Sequence, residues 1–372
     1  MNIYVAATRQ NDGKTMVSLG LFNLLRKKVK NIGYMKPVGQ QFKVINGKKI
    51  DKDAVLMSKI YNLESDLMHM NPIAIPPGFT ERHILQGDRN TLRAKVKRDY
   101  GFLSQKYDFV LIEGTGHAGV GSVFDMSNAD VAELLGAKVI IVSSGGIGKP
   151  IDEIMLNYTK FQAQGVEVLG VIVNKVREDK YAKINDLVRK GLARKNINVL
   201  GVIPFKNVLS NPTMAELLED LKGELICGEK KLSNVVERFV IGDMVAHEIL
   251  EFLSGGTLLI TSGNREDFIF SALSGWALHC AGKYSISGIV ATYGKKPPLE
   301  VINVIKNYDI PLLVVKEDSF DTASRISKMI FKLRAEDKIK INETQELIEK
   351  YVDVDRLYKM IKKDSKKRGC EQ

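Results

Sequence analysis

Residues 7 to 15 read Ala7-Thr8-Arg9-Gln10-Asn11-Asp12-Gly13-Lys14-Thr15, and the closing Gly-Lys-Thr has the residue types of a phosphate-binding loop. In such a loop, backbone N–H groups and the N-terminus of the next helix surround a phosphate with partial positive charge. Gly13 would let the backbone approach closely, Lys14 would reach the terminal phosphate oxygens, and the Thr15 hydroxyl would hold magnesium. The usual pattern opens with glycine, and here Thr8 stands in that place. Thr8, Asp12, Gly13, Lys14 and Thr15 are the expected nucleotide contacts, with Lys14 also acting on the transferring phosphate. Glu113 is the second residue with chemical promise, because it ends the apolar run 109–113 just before Gly114-Thr115-Gly116. Open α/β sheets bind ligands at the carboxyl ends of their strands, and an unpaired buried carboxylate there is costly without a cation.

These residues need strand-to-turn corners to hold them. Apolar runs at 3–7, 31–36, 109–113, 138–143, 166–174 and 199–204 read as strands, and between them lie helical patterns. In the stretch 15–26, Val17, Leu21, Leu24 and Leu25 recur at helical spacing. Near-continuous Val/Ile/Leu runs predict strands buried on both faces, as in a parallel sheet covered by helices. A polar stretch, Cys227-Gly228-Glu229-Lys230-Lys231, marks a boundary. Beyond it a shorter alternation predicts helices at 244–253, 265–278, 299–306 and 322–331, with strands at 257–261, 287–292 and 311–315. The expected fold class is therefore α/β: a mostly parallel sheet covered by helices, plus a second, smaller α/β domain. The expected domains are 1–225 and 232–338, followed by a C-terminal helix and basic tail at 339–372. Gly78 to Arg82, after Pro76-Pro77, reads as a loop.

The loop with Thr8 resembles that of dethiobiotin synthetase, Gly-Thr-x-x-x-x-Gly-Lys-Thr, and further matches follow in order. Lys36-Pro37-Val38 resembles the family's Lys-Pro-Val, which implies that Lys36 contacts phosphate and substrate. Asp51 and Asp53 resemble its acidic magnesium position; both also suit a helix N-terminus, and the resemblance favours Asp53. Glu113-Gly114-Thr115-Gly116 resembles Glu-Gly-Ala-Gly, implying magnesium at Glu113 beside Thr15. Asn174-Lys175 resembles the site whose asparagine reads the adenine edge. The implied cofactors are ATP and Mg2+.

Lys36-Pro37-Val38-Gly39-Gln40, Gly201-Val202-Ile203-Pro204 and Asn211-Pro212-Thr213 are similar to the N-terminal region of long phosphotransacetylases, a synthetase-like regulatory domain. Residues from about 235 to 335 resemble the DRTGG domain that follows it there, through the segment from Gly255 to Asp267. The signature pentapeptide itself is absent. The resemblance stops before the acetyltransferase catalytic domain, which implies a stand-alone sensing or ATP-hydrolysing unit. The alternative is an ATP-dependent ligase acting on a small carboxylated or amine substrate. Gly39-Gln40-Gln41-Phe42 replaces the small residues that would hold the synthetase's diamine, which argues against the biotin reaction. An unidentified small molecule or protein partner is expected at the second domain, and the resemblance suggests a homodimer.

Hydrophobic residues make up 44% and charged ones 27% of 372 residues, a globular rather than a disordered balance. No apolar run reaches the ~18 residues that cross a bilayer, so no membrane partner is expected. The N-terminus has no basic region ahead of its apolar run and reads as a strand, not a signal peptide. Cys227, Cys280 and Cys370 are odd in number and scattered, which fits a reducing cytoplasm rather than a disulfide framework. The net charge of +11 lies partly in the tail from Lys359 to Arg368. Without an aromatic-interleaved basic stripe it reads as a solvated surface, so a nucleic-acid partner is not expected. His69, His83, His247 and His279 show no metal spacing, and His117 in the glycine-rich loop remains open between phosphate contact and solvent.

Overall fold

Six apolar runs become the six strands of one sheet in the computed structural model, which describes residues 1–278, 286–329 and 333–368. They are β1 (Asn2–Ala7), β2 (Ile32–Met35), β3 (Phe109–Glu113), β4 (Lys138–Ser144), β5 (Val168–Val176) and β6 (Val199–Pro204). Their order is β6-β5-β4-β1-β3-β2, and every pairing is parallel. Ile3, Val5, Leu111, Ile112, Ile140 and Ile141 are fully buried, because helices cover both faces and leave neither side of a strand to water. The chain leaves β1 toward β2 and leaves β4 toward β5, in opposite directions along the sheet. Such a reversal opens a crevice outside the carboxyl ends of the central strands, and Ala7, Glu113 and Ser143 lie at that edge.

Helix α1 (Lys14–Leu25) follows β1, and α2 (Lys52–Tyr61) follows a hairpin of Phe42–Ile45 with Lys48–Asp51. The hairpin went unseen in the sequence because only Ile50 and Asp51 of its eight strand residues are buried, so it carries little apolar pattern. The segment 78–82 is helical rather than a loop: Gly78, at φ +77°, caps a helix over Phe79–Gln86. None of that helix's residues is fully buried, although Phe79 packs against the core of the first unit.

The described chain divides into two compact units, residues 1–205 with 333–372, and residues 206–332. The expected terminal surface helix is two helices, α4 (Lys338–Tyr351) and α5 (Val354–Arg368), with α3 (Lys149–Ala163) lying earlier between β4 and β5. They pack into the first unit rather than over its surface. Ile341, Leu347 and Ile348 of α4 are buried, and Gly20 of α1 faces Ile348 so closely that an added Cβ would lie 2.2 Å from its Cγ1. Asp353 N donates to Leu200 O of β6.

The second unit holds β7 (Glu224–Cys227), β8 (Arg238–Ile241), β9 (Thr257–Ser262), β10 (Ile286–Thr292) and β11 (Leu312–Val314) in the order β7-β11-β10-β9-β8. Only β7 is antiparallel. Phe268, Ile269 and Leu273 pack on one face of this sheet, and Met214, Leu217, Ala323 and Ile326 on the other. The helix expected at 244–253 is a short 3-10 turn, Ala246–Glu251, and the one expected from 322 starts at Ser319 behind the cap Asp318. Cys280, Cys370 and His279 lie outside the described residues.

Candidate functional site

The loop between β1 and α1 is held by its own side chains. Gly13 sits at φ +98°, a conformation that disfavours side chains, and a Cβ there would meet Asn174 Nδ2 at 2.2 Å. Thr8, in the place of the usual glycine, donates to Asp12 Oδ2 at 2.7 Å and lies 3.2 Å from Ser143 Oγ. The same Asp12 oxygen accepts Arg9 N at 2.8 Å. Thr8 and Asp12 thus staple the loop across its base. Burial raises the Asp12 pKa, and the bonds from Thr8 and Arg9 offset part of that rise. From the end of β5, Asn174 Nδ2 donates to Asp12 O at 2.9 Å and Lys175 Nζ to Asn11 O at 2.7 Å. Two consecutive residues therefore hold two consecutive loop carbonyls. Asn174 is fully buried, with its amide nitrogen committed to the loop.

Lys14, the first residue of α1, is 8% exposed. Among the described residues it forms no ion pair; its ammonium lies 3.5 Å from Arg9 O. Burial, and then repulsion by Lys36, lower its pKa to about 8. A buried cation without a carboxylate partner, at the N-terminus of a helix, is an arrangement an anion would complete.

Beside it lies a dense charged cluster. Lys36, just past the end of β2, places Nζ 2.7 Å from Asp53 Oδ2 and 2.9 Å from Glu113 Oε1. Thr15 Oγ1 donates to that same Glu113 oxygen at 2.9 Å, and Tyr34 OH donates to Glu113 Oε2 at 3.0 Å. Glu113 is 0% and Lys36 3% exposed. Burial works against the Lys36 charge, but Asp53 and Glu113 overcome it and raise the pKa above the lysine range. Asp51 plays a different part: it caps α2 by accepting Asp53 N at 2.9 Å. The two neighbouring aspartates are thus divided between helix end and cluster.

The structure brings Thr15, Lys36, Asp53 and Glu113 into one site, with Lys14 and the loop alongside. Among the described residues no group of three or more His, Cys, Asp or Glu side chains could hold a metal. The oxygens of Thr15, Asp53 and Glu113 nonetheless fit magnesium, which takes one or two carboxylates and fills its remaining positions with phosphate and water. The cation already lodged between both carboxylates shows that the site accepts positive charge.

Several supports could not be read from sequence. Asn128 accepts Tyr4 OH at 2.8 Å and Thr115 N at 3.0 Å, and donates to Thr115 O and His117 O. Asn157 of α3 accepts Ala118 N at 2.7 Å. Together they fix the backbone after Glu113, while the exposed His117 ring accepts Gly119 N at 3.2 Å. Arg9 pairs with Glu153 of α3. These asparagines stand in unremarkable helical surroundings, and only their burial against a loop reveals them. Lys175 carried a signal in its place after Asn174.

Residues 1–213 match the family described as AAA domain, and residues 216–329 match the DRTGG domain. The phosphate acetyltransferase of Nitratidesulfovibrio vulgaris is 28% identical over 95% of this chain and 50% of its own length. The ATP-dependent dethiobiotin synthetase BioD of Methanocaldococcus jannaschii is 29% identical over 54% of this chain and 92% of its own. The chain thus spans about half the length of the phosphate acetyltransferases it matches. Among solved structures, MinD with Mg-ADP from Pyrococcus horikoshii is 19% identical, with a TM-score of 0.36, over 56% of this chain and 84% of that one. No helix among the described residues is long and apolar enough to cross a membrane.

Proposed function

Because the chain belongs to the AAA domain family, matched over residues 1–213, we propose that its first unit binds ATP with magnesium and that the protein is a regulatory, metabolite-sensing unit. The observation that carries this reading is Lys14: a buried lysine with no ion pair among the described residues, at the head of a buried helix. Such a group destabilises the fold unless an anion arrives, and the loop amides beside it suit phosphate. Thr15, Asp53 and Glu113 would hold the magnesium, which neutralises charge on the phosphate oxygens. Lys14 binds the terminal phosphates, Gly13 keeps the backbone open to them, and Thr8, Asp12 and Asn174 keep the loop in shape. The DRTGG domain would receive a separate small molecule or protein, whose binding biases the nucleotide state.

A second reading is an ATP-dependent ligase, in which Lys36 neutralises the transferring phosphoryl group. It is favoured by the length of the synthetase match, which covers nearly all of that relative. Calorimetry with Mg-ATP, on the wild type and on Lys14→Ala, tests the shared part: heat is expected from the first and none from the second. Binding without turnover across a panel of small carboxylates and amines supports the sensor. Hydrolysis stimulated by one of them supports the ligase.

A further inference from the structure

We propose that Lys36 is a built-in counterion that fills the metal position of the empty site and leaves it only when a polyphosphate offers its ammonium another acceptor. The proposal rests on reading the first unit as a magnesium–nucleotide site. Its basis is a coincidence of place. Lys36 Nζ lies 2.7 Å from Asp53 Oδ2 and 2.9 Å from Glu113 Oε1, and Thr15 Oγ1 reaches the same Glu113 oxygen at 2.9 Å. Two of the three oxygens suited to magnesium therefore flank the ammonium, and the third lies beside one of them. Magnesium binds oxygen at about 2.0–2.1 Å, so an ion shared by both carboxylates must lie between them, and two cations cannot occupy that gap. The cluster is buried, so water and salt do little to screen the repulsion.

The lysine has a reason to be there. Two buried carboxylates facing one another without a cation repel, and the Lys36 ammonium between them offsets that repulsion in the nucleotide-free fold. It also has somewhere to go: Lys14, close enough to feel the Lys36 charge, marks the place where phosphate oxygens would lie. A lysine reaches a second acceptor by rotating its four-carbon stem, without backbone movement. Metal and nucleotide should then enter together, with metal alone kept out.

Manganese titrations followed by electron paramagnetic resonance, on the full chain without nucleotide, test this. Wild type should bind manganese only weakly, in the millimolar range. Lys36→Met should bind it at least about tenfold more tightly, because removing the ammonium lifts a short-range repulsion. Lys36→Arg, which keeps the charge, should stay weak, and adding Glu113→Gln to Lys36→Met should erase the gain. Equal affinities for wild type and folded Lys36→Met would overturn the proposal. Micromolar manganese binding by nucleotide-free wild type that Glu113→Gln abolishes would overturn it as well, with no substitution at position 36. The underlying reading is tested separately by wild-type calorimetry with Mg-ATP: no heat there defeats nucleotide binding, while the manganese comparison still decides the role of Lys36.

Discussion

If the first unit binds nucleotide as proposed, Lys14 should tie that affinity to pH. Burial first, and the charge of Lys36 second, lower its pKa to about 8 in the nucleotide-free protein. A bound phosphate places negative charge beside the ammonium and keeps it protonated well into the alkaline range. Apparent affinity then follows the fraction of free protein that is competent to bind. With a pKa of about 8, that fraction is about 0.9 at pH 7 and about 0.09 at pH 9. Affinity for Mg-ATP should fall about tenfold between the two, equivalent to about 1.4 kcal/mol. Calorimetry at fixed free magnesium, in two buffers of different ionisation enthalpy, reads both the affinity and the proton taken up. That uptake should be about half a proton per nucleotide at pH 8. Lys14→Arg stays charged and should show neither effect. Constant wild-type affinity from pH 7 to 9, with no proton uptake, would refute the reasoning.

Other expectations follow from the same geometry. The folded-state pKa of Lys14 lies below its unfolded value of 10.5, so the unfolded chain holds more protons between about 8 and 10.5 and stability from this group rises with pH across that window. Lys14→Met should accordingly stabilise the nucleotide-free protein by on the order of 1–3 kcal/mol at pH 7; a lower melting temperature than wild type would contradict this. Gly13→Ala adds a Cβ at φ +98° against Asn174 and should cost about 1–3 kcal/mol in urea unfolding while weakening Mg-ATP binding. Asp51→Ala removes a helix cap and should cost about 1 kcal/mol of stability with Mg-ATP affinity nearly unchanged. Asp53→Asn should instead lose the magnesium-dependent part of that affinity, and equal binding losses for the two aspartates would show that their division of labour is misread.

The core strands were legible because each is a dense apolar run with helices on both sides, and the candidate site residues sit in plain view at the strand ends. The phosphate loop could be placed from Gly13-Lys14-Thr15 after a strand. What stayed hidden depends on contacts distant in sequence. That Thr8 serves where glycine is usual follows only from its bond to Asp12 and the approach of Ser143. The resemblance favours Asp53, but that Asp51 serves as the helix cap shows only in the backbone N–H it accepts. Most of all, pairing among Lys36, Asp53 and Glu113 spans 77 positions between lysine and glutamate, which no local pattern reports. The helix Phe79–Gln86 escaped because it follows the turn-like Pro76-Pro77-Gly78 and none of its residues is fully buried.

The contact at Gly20 bears on how this molecule can be taken apart. The helix that begins with Lys14 leans, one turn and a half later, on a segment made more than 300 residues afterwards, with the Ile348 side chain seated against a glycine that offers none of its own. A fragment ending at residue 205 would leave the Gly20 groove, covered by Ile348 in the intact chain, facing water, and would invite aggregation unrelated to ligand binding. Fusing residues 333–372 back onto residue 205 through a short flexible tether is the sounder way to isolate this half. A binding assay on the shorter piece would measure the missing helix rather than the phosphate loop.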